Sequence, residues 1–238
     1  MQHRVVILIG PPGAGKGTQA DLLVEDFGFY HLETSKIIEK KMMADTEDPV
    51  LRKAQEDYRA GKLVDGAVVA QWILETIRSV GATQSMVFSG SPRRASEAEH
   101  EIPIIEEIFG RENLHVAYIN VGEQESVYRN SNRRICKANR HPIPNFSEFK
   151  DITACPKDGS ELIKRSLDNE EIMRVRYKTY IEETAPVLDY FKQRGYNIVE
   201  VNGEQPIRNV HNDLMAGLHA TAHPDLEKKI NDSIDSTN

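Results

Sequence analysis

The chain has 238 residues, 39% hydrophobic and 28% charged, the composition of an ordinary globular protein rather than a disordered or fibrous one. Lys and Arg number 30 against 37 Asp and Glu, and the net charge of −7 argues against coating of DNA or RNA. Two Cys exclude a disulfide scaffold and fit a reducing compartment. The apolar residues 5–9 stop at Gly10-Pro11-Pro12, too short for a signal segment or a membrane span. A cytoplasmic protein without a membrane or nucleic-acid partner is expected.

In chain order, residues 4–9 form a β-branched run that reads as a fully buried strand. Residues 15–27 read as a helix with Leu22, Leu23 and Phe27 on one stripe and Gly28 closing it. Residues 34–60 are helical, charged and strand-free. Residues 68–80 read as a helix, with Trp72 among Val68, Val69, Ile73 and Ile77 as core. Residues 86–88, 115–121 and 197–201 are further short strands, and 102–109 and 170–194 further helices. Strands alternating with helices predict an α/β fold with a doubly wound parallel sheet. Residues 133–167 break the alternation with Pro142, Pro144, Pro156 and Gly159, and are too long for a plain connection, so they predict a small lobe or lid. The expected division is a core at 1–33, 63–132 and 168–221, inserts at 34–62 and 133–167, and a polar tail at 222–238.

Gly10-Pro11-Pro12-Gly13-Ala14-Gly15-Lys16-Gly17-Thr18 follows a strand and opens a helix, the setting a phosphate-binding loop requires. Glycines let backbone N–H groups turn around phosphate oxygens, the helix N-terminus adds partial positive charge, and Lys16 can reach the β- and γ-phosphates. Gly17 stands where Ser or Thr usually follows the lysine, and Thr18 comes one residue later.

Continued by Gln19, this loop resembles that of adenylate kinases and related nucleoside monophosphate kinases, and the resemblance runs over roughly residues 5–218. Thr34 resembles the threonine opening the monophosphate lobe, and Gly61-Lys62-Leu63-Val64 the segment lying against the acceptor base. Gly90, Pro92 and Arg93 fit a D-G-F-P-R motif. Arg129 and Arg133 resemble the arginines entering the lid, Arg165 and Asp168 the motif leaving it, and Arg176 the arginine that follows. Asn202-Gly203 resembles the loop beside the donor adenine.

The resemblance implies transfer of the ATP γ-phosphoryl group to AMP or another nucleoside monophosphate, with Mg²⁺, by a monomer. Such transfer needs in-line positioning and neutralised oxygen charge more than covalent participation by protein. Gly13, Ala14, Gly15, Lys16, Gly17, Thr18 and Arg129 are implied donor-binding residues. Thr34, Lys62, Val64, Gly90, Arg93 and Glu97 are implied on the acceptor side, with the insert at 34–62 as monophosphate lobe. Lys16, Arg93, Arg129, Arg133, Arg165 and Arg176 are implied to stabilise transferring charge.

Departures from the family pattern cluster on the acceptor side. Thr34 is followed by Ser35-Lys36-Ile37-Ile38-Glu39 instead of G-D-L-L-R, so Glu39 reverses the charge of a phosphate-holding arginine, with Lys36, Lys40 or Lys41 as possible compensation. Ser89 replaces an aspartate that orients water on Mg²⁺, and Ser91 replaces an aromatic residue. Glu97 replaces a glutamine that reads adenine; an ionised carboxylate only accepts, which suits guanine or cytosine better, unless its side chain faces elsewhere. These changes also leave open an ATP-binding protein of the same fold with weak or lost transfer.

Cys136 and Cys155 lie toward the two ends of the lid, and some lids of this family carry four zinc ligands in two pairs. Asn139 stands in one ligand slot and Asp158 in another, with His141 as a substitute ligand. The alternatives are a structural zinc and a metal-free lid held by hydrogen bonds.

Overall fold

The computed structural model describes residues 3–59, 65–81, 83–139, 141–143, 149, 151–164 and 168–220. Five short apolar runs make one parallel sheet. They are β1 (Val5–Ile9), β2 (Tyr30–Leu32), β3 (Met86–Phe88), β4 (Leu114–Asn120) and β8 (Ile198–Asn202), in the order β2-β3-β1-β4-β8. Every residue of β1 is buried, because the strand alternates between two apolar layers. Val5, Ile7 and Ile9 face helices α4 (Gly66–Gly81), α5 (Ala95–Phe109) and α8 (Pro186–Gln193) through Ile73, Ile77, Ile102, Ile105, Val187 and Phe191. Val6 and Leu8 face helices α1 (Lys16–Phe27) and α9 (Ile207–Ala220) through Ala20, Leu23, Val210 and Leu214.

Chain connections run to opposite sides of β1, which pairs with β3 on one edge and β4 on the other. That switch point opens a crevice at the carboxyl ends of the strands, the ligand position in open α/β sheets. Two inserts border it. One carries α2 (Thr34–Met43) and α3 (Pro49–Arg59), where Met42, Leu51 and Ala54 bury Trp72 of α4. The other follows α6 (Glu123–Ser131) and contains a small antiparallel sheet of β5 (Arg134–Cys136), β6 (Pro142–Ile143) and β7 (Leu162–Ile163), in the order β6-β5-β7.

Four features differ from the sequence-based expectation. The strand β2 was not expected; it is three residues long and carries His31. Helix α5 begins at Ala95 rather than 102, because the buried positions of its first turns are held by Ala98 and Glu101 instead of large apolar residues. The expected helix 170–194 is α7 (Glu170–Thr179), a π turn at Tyr180–Thr184, and α8. The insert at 133–167, expected to hold few periodic apolars, nevertheless contains the β5–β7 sheet around buried Cys136, Ile143 and Cys155. The expected tail at 222–238 lies outside the described residues. Among the described residues no helix is long and apolar enough to cross a membrane.

Candidate active site

The phosphate loop rises from the end of β1 and is bent by its glycines. Gly13 has φ +77° and Gly15 φ +90°, where a side chain is strained, and a Cβ on Gly13 would stand 2.4 Å from Asn130 Nδ2. Gly15 caps α1 without a side-chain bond, which leaves the first N–H groups of the helix for an anion. The loop is fixed from α6: Ser126 Oγ donates to Pro12 O at 2.6 Å, and Asn130 Nδ2 to Ser126 O at 2.7 Å. Lys16 Nζ folds over its own loop and donates to Gly10 O at 2.7 Å and Pro11 O at 2.8 Å. Burial, with added repulsion from Arg93 and Arg176, pushes its pKa down to about 7.

A cavity of about 480 Å³ lies over this loop. Residues 13–18 line it, together with Thr34, Gly90, Arg93, Arg129, Arg133 and Arg176. The arginines are held by different elements. Arg93 Nε donates to Gly90 O at 2.8 Å. Arg129 bonds Glu125 Oε1 at 2.6 Å and Gly203 O at 2.8 Å, tying α6 to the loop after β8. Arg133 grips Asp168, whose side chain is 1% exposed, with both carboxylate oxygens engaged at 2.9–3.2 Å. That pair joins the stretches of chain that enter and leave the second insert. Arg165, Lys62 and Val64 lie outside the described residues.

Across the cavity, Thr34 Oγ1 is buried without a hydrogen-bond partner among the described residues. A Cβ on Gly90 would stand 3.5 Å from Arg93 Nη2 and 3.6 Å from Thr34 Oγ1, filling the space between them. Lys36 and Glu39 line the cavity; Lys36 pairs with Glu33 at 2.9 Å. Lys41 instead pairs with Glu75 at 3.2 Å and lies over the Trp72 ring.

Glu97 takes one of the two placements the sequence leaves open, with its side chain facing elsewhere than the cavity. It does not line the cavity, and its Oε2 accepts from the Arg93 backbone N–H at 2.7 Å, capping the start of α5. Ser91 is buried, and its Oγ donates to Glu101 Oε1 at 2.6 Å. A polar pair thus fills the place under the Gly90–Arg93 turn. Burial pushes the Glu101 pKa up to about 8; the Ser91 bond opposes this and the charge of Glu97 adds to it.

The geometry is that of a nucleotide phosphate site, and comparison with known proteins agrees. The family model described as adenylate kinase matches residues 8–196. The chain belongs to the adenylate kinase family. An adenylate kinase of Bacillus velezensis is 33% identical over 219 residues, 90% of this chain and 98% of the relative. One from Clostridioides difficile is 34% identical over 216 residues, 90% and 97% of the two chains. An archaeal one, from Methanocella arvoryzae, is 32% identical over 219 residues, 91% and 99%.

Beside the cavity, this adenylate kinase family member brings together Cys136, His141, Cys155 and Asp158, with one ligand atom of each within 4.8 Å of the others. His141 Nδ1 stands 3.5 Å from each sulfur and 3.2 Å from Asp158 Oδ2. Asn139 lies against these four, its N–H donating to Cys136 Sγ at 3.3 Å and its Nδ2 to Asp158 Oδ2 at 2.8 Å. Both cysteines are free thiols. Two thiols, an imidazole and a carboxylate are a donor set suited to tetrahedral zinc.

Sequence reasoning missed Asp21, His31, Asn130 and Lys157, all of which line the cavity. Lys157 reaches from the second insert to Asp21 at 3.6 Å and Glu25 at 3.3 Å on α1. No spacing links 157 to 21; only the folded insert does.

Proposed function

We propose that the protein transfers the γ-phosphoryl group of ATP to AMP, reversibly, acting as a monomer in the cytoplasm. The observation carrying this is the convergence of Lys16, Arg93, Arg129, Arg133 and Arg176 around one cavity, in a chain of net charge −7. Water as acceptor would leave so many cations without an anion to match. The loop amides and Lys16 bind the donor phosphates, and Arg93 with Thr34 the acceptor phosphate. Arg129, Arg133 and Arg176, with Arg165, stabilise charge on the transferring group. Residues 133–167 close as a lid that excludes water, and 34–62 form the acceptor lobe with Lys62 and Val64 against the base. AMP is favoured over other acceptors because the relatives are named adenylate kinases and the Glu97 carboxylate is engaged by the Arg93 amide.

Hard oxygen donors at the cavity, Thr18 and Ser89, fit a hydrated Mg²⁺. When bound, Mg²⁺ would offset negative charge on the phosphates as transfer proceeds. The Cys136, His141, Cys155 and Asp158 cluster would hold a structural zinc that ties the insert together.

A coupled assay with ATP, Mg²⁺ and AMP, GMP, CMP, UMP or dTMP tests this. AMP should turn over fastest. GMP or CMP as the best acceptor would contradict the assignment, and ATP binding without transfer to any of the five would mark a binder instead.

A further inference from the structure

Ser89 follows β3, and His31 lies on β2, its parallel neighbour. The pairing brings Ser89 Oγ to 2.6 Å from His31 Nε2, and His31 Nδ1 lies 3.2 Å from Asp21 Oδ1 on α1. All three residues line the phosphate cavity. The His31 side chain is 10% exposed, so its ring is held between the two oxygens. Burial raises the Asp21 pKa, but the His31 hydrogen bond and the nearby Lys157 outweigh it and hold the carboxylate below its ordinary range. An ionised Asp21 can only accept, which fixes the imidazole proton on Nδ1. Nε2 then accepts the hydroxyl proton of Ser89. The oxygen of Ser89 is left with its lone pairs free, backed by a negative charge one ring away.

The geometry points to Asp21 and His31 as positioning residues that turn Ser89 Oγ into a fixed hydrogen-bond acceptor for the water shell of the divalent cation accompanying the nucleotide phosphates. A serine hydroxyl alone can donate or accept, and donation toward a cation-bound water is unfavourable. The relay removes that choice. It rests on the proposed kinase reading only for the identity of the site's ligand, a divalent cation with a nucleoside polyphosphate.

Two readouts besides turnover test it. In the free protein, ¹⁵N NMR should find the His31 proton on Nδ1. Water-proton relaxation with Mn²⁺ as probe should show Ser89→Ala and His31→Phe each weakening Mn²⁺ binding to the protein–ADP complex by about tenfold, the scale of groups that orient metal ligands. In a Ser89→Asp background, which carries its own charge, His31→Phe should cost less than about twofold; a structural role for His31 would cost the same in both backgrounds. Should His31→Phe fail to fold, Asp21→Asn cuts the same relay from α1. A proton on Nε2, or Mn²⁺ affinity unchanged within about twofold in His31→Phe with Ser89 intact, would overturn the relay. Mn²⁺ shifts as expected in a protein that phosphorylates no mononucleotide would support the relay and refute the kinase reading, so the two fail separately.

Discussion

Lys16 Nζ bonds two carbonyls of its own loop, and burial together with Arg93 and Arg176 pushes its pKa down to about 7. Phosphate oxygens favour the ammonium form, so binding raises that pKa and protons are taken up between the two values. Calorimetry of ADP binding in buffers of different ionisation heat should therefore show uptake approaching one proton at about pH 8.5 and little at about pH 6. Lys16→Met should abolish it; uptake that persists in Lys16→Met would place the titrating group elsewhere. Glu101 gives the opposite kind of prediction. Its folded pKa of about 8 lies above the unfolded value of 4.5, so the folded protein binds more protons in that window and stability falls as pH rises through it. The slope approaches about 1.4 kcal/mol per pH unit. Glu101→Gln keeps an acceptor for Ser91 and should melt higher than the parent at about pH 8, with the difference gone near pH 4.5. An equal difference at both pH values would mean that Glu101 is not protonated in the fold. Lys16 was legible from its motif, whereas Glu101 and the capping role of Glu97 were not, because a carboxylate's partner depends on which turn of α5 faces the core.

The elements themselves were read where hydrophobic pattern and punctuation agreed. The five-residue run of β1 and the glycine-bounded α1 show both. The strand β2 and the two- or three-residue strands of the second insert do not, since their stability comes from pairing with β3 and from the buried Cys136, Ile143 and Cys155. His141 reaches the metal set because β6 pairs antiparallel with β5, with Ile135 opposite Pro142, which brings residue 141 back over Cys136. If zinc occupies this cluster, protein purified without chelator should carry close to one equivalent by elemental analysis, and chelation should lower the melting temperature by several degrees. Less than about a tenth of an equivalent, with melting unchanged by chelator, would assign the insert to hydrogen bonds alone.

At the scale of the molecule, an acidic chain concentrates cations at one crevice. The parallel sheet sets the phosphate loop at its switch point, α6 delivers Arg129, the entry and exit of the second insert are joined through Arg133 and Asp168, and α7 adds Arg176. Lys16 was named from the phosphate loop, and Arg93, Arg129, Arg133 and Arg176 from separate motifs that resemble the family, each of which lies at the cavity. The Ser89–His31–Asp21 relay was not legible in the sequence, because it depends on the register of β2 against β3. The central claim is that the cage holds two nucleotides in line for transfer. ³¹P NMR of the purified protein with Mg²⁺ and ADP alone tests it most directly. The account predicts that ADP is converted to ATP and AMP in equal amounts without release of inorganic phosphate, and that Arg93→Ala slows this by about two to three orders of magnitude. ADP left unchanged, or hydrolysed to AMP and phosphate, would contradict it.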